Sequence, residues 1–177
     1  MKDDLEKWRQ QFETIVDLYK GRVMNMLYRI LPNKSEVEDV AQEVFIRVYK
    51  GLPYFKHKSK FTTWLYRIVH NVAISEIRKR KAPTANIEDI QDFPEQSPGL
   101  NGTAALNEKQ VKELINNALN EIPENQKIVL ILYYMEEQSY IEISKILDIP
   151  IGTVKTYLHR GKKTLRHLLV KQSTFMQ

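Results

Sequence analysis

The chain has 177 residues, of which 42% are hydrophobic and 28% charged, enough for one large domain or two small ones with modest cores. No run of about 18 apolar residues offers a membrane span, the charged first residues hold no signal-peptide core, and the lack of cysteine excludes disulfides and thiolate metal sites. The net charge of +5 hints at a polyanionic partner.

Residues 5–30 carry Leu5, Trp8, Phe12, Ile15, Val16, Tyr19, Val23, Met26, Leu27 and Ile30 at three-four spacing. This predicts a helical hairpin, or one long helix interrupted near Gly21, ended by Pro32 and Asn33. Ser35 followed by Glu38 reads as a capping box opening a second helix. There Val37, Val40, Ala41, Val44 and Val48 form a core face, and Asp39, Gln42, Glu43 and Ile46 form a second line. Such a line is by default a solvated face; with an apolar member in it, it also fits docking of a basic, partly apolar partner.

Residues 54–61, "YFKHKSKF", mix three aromatics with three lysines and no acid; they read as a loop. A helix is predicted from about Thr62 to Lys81, with Leu65, Ile68, Val69 and Val72 inward. Trp64, Arg67, Asn71, Ser75 and Arg78 share another stripe. Rings that stack on bases, cations that follow phosphates and amides that read base edges suit single-stranded nucleic acid. Aromatics at helical spacing usually belong to a core, so Trp64 is expected to serve both. The run Arg78-Lys79-Arg80-Lys81 either complements the helix dipole or contacts phosphate.

Charge divides the chain. Residues 1–81 hold 17 basic and 10 acidic residues, residues 82–108 hold five acids and no Lys or Arg, and residues 109–177 hold ten basic and seven acidic residues. The connector also has three of the seven prolines and two of the six glycines. This predicts an all-α protein with two small helical domains, 1–81 and 106–172, joined by an acidic flexible linker at 82–105.

In the last block Leu106, Val111, Leu114, Ile115, Ala118, Leu119 and Ile122 predict an amphipathic helix ending before Pro123. "PENQKIVLILYYM" is a second helix, too apolar to be exposed all round, with some surface left for a partner. Ser139 and Glu142 form another capping box, opening a short helix with Ile143, Ile146 and Leu147. The turn "LDIPIG" leads into a helix with Val154, Leu158 and Leu165 on one side and Lys155, Thr156, His159, Arg160, Lys162 and Lys163 on the other. Short helix, tight turn and long cationic helix make a helix-turn-helix, whose second helix enters a major groove. Lys155, Thr156, His159 and Arg160 suit base edges; Lys162, Lys163 and Arg166 suit phosphate. From Ile149 to Gln177 there is no Asp or Glu, which favours a polyanion over a merely solvated helix.

His57, His70, His159 and His167 lack metal-ligand spacing, so neither a metal nor a cofactor is expected. No Walker motif, GxGxxG or nucleophile elbow is present, and no enzyme is expected.

Three segments carry a family resemblance. "EDVAQEVFIRVYK" resembles the core-binding segment of the second domain of bacterial RNA polymerase sigma factors of the extracytoplasmic function (ECF) group. "FTTWLYRIVHNVAISEIRKRK" is similar to the promoter −10 segment, and "IPENQKIVLILYYMEEQSYIEISKILDIPIGTVKTYLHRGKKTLR" to the fourth domain. They follow the family's order over nearly the whole chain. The resemblance implies a non-enzymatic transcription initiation factor that binds core RNA polymerase and directs promoter recognition and melting. Asp39, Gln42 and Glu43, with Ile46 beside them, would meet the beta-prime clamp coiled coil. Ser59, Lys60, Phe61 and Asn71, with Trp64, Arg67, Ser75 and Arg78, would take the −10 element. Thr153, Lys155, Thr156, His159, Arg160, Lys162 and Lys163 would take the −35 element. The fourth domain's first helices would pack on the beta flap, and the linker would thread toward the RNA exit channel. An anti-sigma factor, often membrane-bound, would cover these surfaces, and the chain itself would be cytoplasmic, at the nucleoid, without membrane insertion.

Two other readings compete. A conventional helix-turn-helix transcriptional regulator would dimerise to span half-sites, but no dimerisation heptad is evident and residues 54–81 go unexplained. A nucleic-acid-processing enzyme would need clustered carboxylates for metal; Glu36, Glu38, Asp39 and Glu43 are the only dense cluster and lack histidine support.

Overall fold

The computed structural model describes residues 2–81 and 108–174; the predicted linker and Leu106 lie outside them, as do the side chains of Leu5, Trp8 and Lys81. The described residues form α1 (Lys2–Ile30), α2 (Val37–Gly51), α3 (Phe61–Lys81), α4 (Glu108–Glu121), α5 (Glu124–Tyr134), α6 (Tyr140–Leu147) and α7 (Ile151–Thr174), with single 3-10 turns at Lys34–Glu36 and Leu52–Tyr54. The protein is all-α. In the first half α2 packs between α1 and α3; in the second, α4, α5 and α6 gather on α7.

The core faces predicted for α2 and α3 are buried, apart from Ile68, which is partly covered. Val23, Met26 and Leu27 of α1, Val44 and Val48 of α2, and Leu65 and Val69 of α3 are fully buried, each contributing about 1.5–3 kcal/mol by leaving water. Two details differ from the sequence reading. α1 runs unbroken through Gly21, which is exposed and has open space where a Cβ would stand; a helix-interior glycine costs only about 1 kcal/mol, less than the packing of α1 returns. Ser35 is not a helix cap. Asn33 is, its Oδ1 accepting from the Ser35 N–H at 3.1 Å, and α2 starts at Val37 without a side-chain cap.

In the second half Lys127 to Leu132 of α5 are all buried, so no partner surface remains on that stretch. Apolar exposure moves to its end, at Tyr134 and Met135. Val111, expected in the α4 stripe, is exposed, while Ala118, Leu119 and Ile122 are buried. The Ser139 capping box forms as predicted. α6 ends at Asp148 in the left-handed region, φ 55°, a conformation that Asp tolerates through its short polar side chain. Ser144 Oγ donates to the Ile149 carbonyl at 2.6 Å and braces the turn into α7. Gly161 lets α7 approach α5: a Cβ there would lie 3.0 Å from Leu130 Cδ1.

The halves also touch, α3 against α6 and α1 against α5. The Tyr66 hydroxyl, fully buried, donates to the Glu136 carboxylate. The Arg67 guanidinium donates to the Lys145 carbonyl, from Nε at 2.9 Å. Lys60 Nζ lies 2.8 Å from Glu142 Oε1. The Lys60 hydrogen bond, then that of the Ser139 N–H, hold the Glu142 carboxyl down at about 2, from an ordinary 4.5.

Two outcomes follow from this packing. Gly161→Val forces a side chain into Leu130, so its urea midpoint should fall by the equivalent of about 1–3 kcal/mol. Glu142 has its pKa depressed in the fold, so its stabilisation is complete above the ordinary carboxyl value and fades as pH falls toward 2. Thermal melts stepped from about pH 5 to about pH 2 should show a steeper loss for the parent chain than for Glu142→Gln.

Candidate functional site

Three surfaces carry the predicted site residues. The first lies on α1 and α2. Because Val37, Val40, Ala41, Val44 and Val48 are buried, the helical period turns Asp39, Gln42 and Ile46 outward, with Glu43 partly covered. Glu43 is paired with Arg47 at 2.7 Å, whose hydrogen bond lowers its pKa. Beside this line runs an open groove of about 600 Å³, lined by Phe12, Val16 and Met24 of α1 and Gln42, Phe45 and Ile46 of α2. Phe12 and Val16, members of the apolar stripe read in the sequence, are only partly covered. Tyr49, exposed at one side of the groove, packs its ring edge-on against Phe12 with centroids 5.1 Å apart. The signal in the sequence was an apolar stripe running the length of α1.

The second surface is the loop after Tyr54 together with α3. Phe55, Phe61 and Trp64 cluster with centroids 5.1–5.8 Å apart. Trp64 is half-buried, as expected, with its indole over Gly51, where a Cβ would lie 2.9 Å from Cζ2. Asn71 and Ser75 are exposed and Ser59 partly so. Asn71 Oδ1 sits 3.2 Å from His70 Nδ1. Lys60 and Arg67 reach the second half, as described. Arg78 borders a cavity of about 210 Å³ between the halves, with His70, Ile74, Glu124, Asn125 and Tyr157. Burial there pushes the His70 pKa down, opposed by its Asn71 hydrogen bond. The basic run 78–81 has a structural use that the sequence did not reveal: Arg80 pairs with Glu36 across the helices, and Lys79 with Glu76 at 3.2 Å.

The third surface is on α7. Val154, Leu158 and Leu168 are buried while Leu165 is partly covered, and Lys155, Thr156, His159, Arg160, Lys162, Lys163 and Arg166 are exposed. Thr153 is half-buried at the first turn. The Thr156 hydroxyl donates to the Gly152 carbonyl at 3.0 Å, leaving its oxygen able to accept. One helical period thus separates a packing seam from a cationic face with no carboxylate on it. The surfaces suit helix docking, single-strand contact and major-groove contact in turn.

Comparison with known proteins gives the same order. Sigma-70 region 2 matches residues 15–82 and sigma-70 region 4 matches residues 112–165. The ECF RNA polymerase sigma factor SigW of Bacillus subtilis is 39% identical over 165 residues, covering 89% of this chain and 88% of its own. The ECF RNA polymerase sigma-E factor of Escherichia coli is 28% identical over 164 residues, covering 89% and 85%. The fold is shared with the sigma factor RpoE, solved with the anti-sigma factor NepR from Bartonella quintana, at TM-score 0.70 and 23% identity over 90% of this chain and 97% of that one. It is shared also with CnrH, solved with the cytosolic domain of CnrY, at TM-score 0.68 and 18% identity over 92% and 90%. The chain belongs to the ECF RNA polymerase sigma factors.

Proposed function

We propose that the three surfaces divide the work of transcription initiation between them, and that the chain lends specificity to RNA polymerase without catalysing a reaction itself. The observation that carries this most directly is α7: a buried seam under an exposed face of Lys155, Thr156, His159 and Arg160. A major groove admits one such helix, and bidentate cations and hydroxyls read base edges there. On this reading α7 takes the −35 element, while Lys162 and Lys163 fix its register on phosphates.

The α1–α2 groove, lined by Gln42 and Ile46, together with the exposed Asp39 on the same helix, takes the beta-prime clamp coiled coil of core polymerase. Its apolar floor supplies area, and Glu38 in its lining with Asp39 supplies orientation toward a basic helix. The 55–61 loop and α3 take the −10 element. Opening a duplex costs about 1–2 kcal/mol of stacking per base-pair step; capture of an unstacked base beside Trp64 and Asn71, with phosphates on Lys60 and Arg67, offsets that cost. The first helices of the second half meet the beta flap. An anti-sigma factor is the expected regulator, competing for the same faces in the cytoplasm. Among the described residues no helix is long and apolar enough to cross a membrane.

Run-off transcription with sigma-free core polymerase on pooled genomic promoters tests the reading. Discrete start sites that depend on the protein are expected. A folded preparation that gives none, yet binds duplex DNA without polymerase, would instead be a conventional regulator. Arg160→Ala should weaken −35 recognition by about 1–3 kcal/mol and leave polymerase affinity unchanged. Ile46→Asp together with Gln42→Ala should do the reverse, measured by competition for core polymerase against another sigma factor.

A further inference from the structure

We infer that His57 is a specificity-determining residue of the 55–61 loop, whose imidazole reads the edge of one unstacked base of the −10 element, beyond the base captured beside Trp64 and Asn71. The inference rests on the reading of this loop as a DNA-binding face and adds a residue to it. The backbone carries the first observation. Among the described residues His57, Glu137 and Asp148 are the non-glycine residues with positive φ, at 53°, 53° and 55°. That conformation crowds a Cβ and is uncommon outside glycine. Helix ends account for two of the three. Asp148 terminates α6, and Glu137 lies in the turn that closes α5, where the Gln138 N–H donates to the Leu132 carbonyl at 2.9 Å. His57 ends no helix, and among the described residues no backbone hydrogen bond involves it. A left-handed residue with no such structural return points to a use for its side chain.

That side chain stands on a platform. Its ring centroid lies 4.6 Å from that of Phe55, with the planes tilted by 56°. Phe55 is held in turn by Trp64 at 5.1 Å and Phe61 at 5.8 Å, and Phe61 meets Tyr19 of α1 at 5.3 Å. His57 is the exposed outer member of this chain of rings, and the other four are partly covered. The platform therefore fixes an imidazole at the surface in advance of binding, which lowers the ordering cost of a contact there. Lys56, Lys58 and Lys60 flank it, and residues 54–61 hold no acid, so a phosphate backbone is drawn to the same place. Lysine follows phosphates without distinguishing bases. An imidazole adds a face for stacking and nitrogens that donate and accept, and those nitrogens distinguish one base edge from another.

Competition binding tests this with the holoenzyme formed from core polymerase and the full chain. The probes are labelled single strands of the mapped −10 sequence, with each position replaced in turn by the other three bases. His57→Gly suits the left-handed backbone and removes the imidazole. At one position its preference for the mapped base should fall about three- to tenfold, the worth of one hydrogen bond, with the other positions unchanged. His57→Asn also tolerates this backbone and is less mobile than glycine, and it should alter the same position and no other. Parent-like preferences throughout in His57→Gly overturn the inference. So does a loss spread over every position in both variants, which is the mark of a loosened loop and not of a lost contact. Either result leaves the parent's own −10 preferences standing. A parent holoenzyme with no base preference in the −10 strand would instead remove the reading of the loop as a DNA-binding face, and this inference with it.

Discussion

The buried hydroxyl of Tyr66 governs how this molecule is put together. Its ring is fully buried on α3, which packs on α1 and α2 and also on α6. Its oxygen then needs a partner, because an unpaired hydroxyl away from water is costly. Glu136 supplies it from across the boundary, accepting from the hydroxyl. Burial and the Glu136 hydrogen bond both push the Tyr66 pKa up, which keeps the proton in place as a donor. A first-half core residue thereby sets the register of the second half against α3.

That register explains why α3 and α7 behave differently although both are two-faced helices. Each buries one stripe and turns a basic or aromatic stripe away from it. The stripe on α7 stays open because α4, α5 and α6 all lie against its apolar side. The stripe on α3 is partly covered because α6 comes to lie on it. The same helical period therefore produces an available surface in one half and an occupied one in the other, and the difference is tertiary.

The helices and their core faces were legible from periodicity, since one apolar stripe per helix is what a small helical core requires. The outward line on α2 and the cationic face of α7 were legible for the complementary reason. Local chemistry was readable where one solution dominates, as at Ser139 and Glu142. It misled where two residues compete for a cap: Asn33 forms its bond two residues on and leaves Ser35 to bond Asn33 instead. Gly21 looked like a break because propensity is a local signal, and packing along α1 outweighs it. The groove needed the placement of α2 along α1, which periodicity does not give. The contacts between the halves were beyond pattern reading, because Tyr66 and Glu136 are 70 positions apart, and Arg67 and Lys145 are 78 apart; no periodicity links residues at that separation.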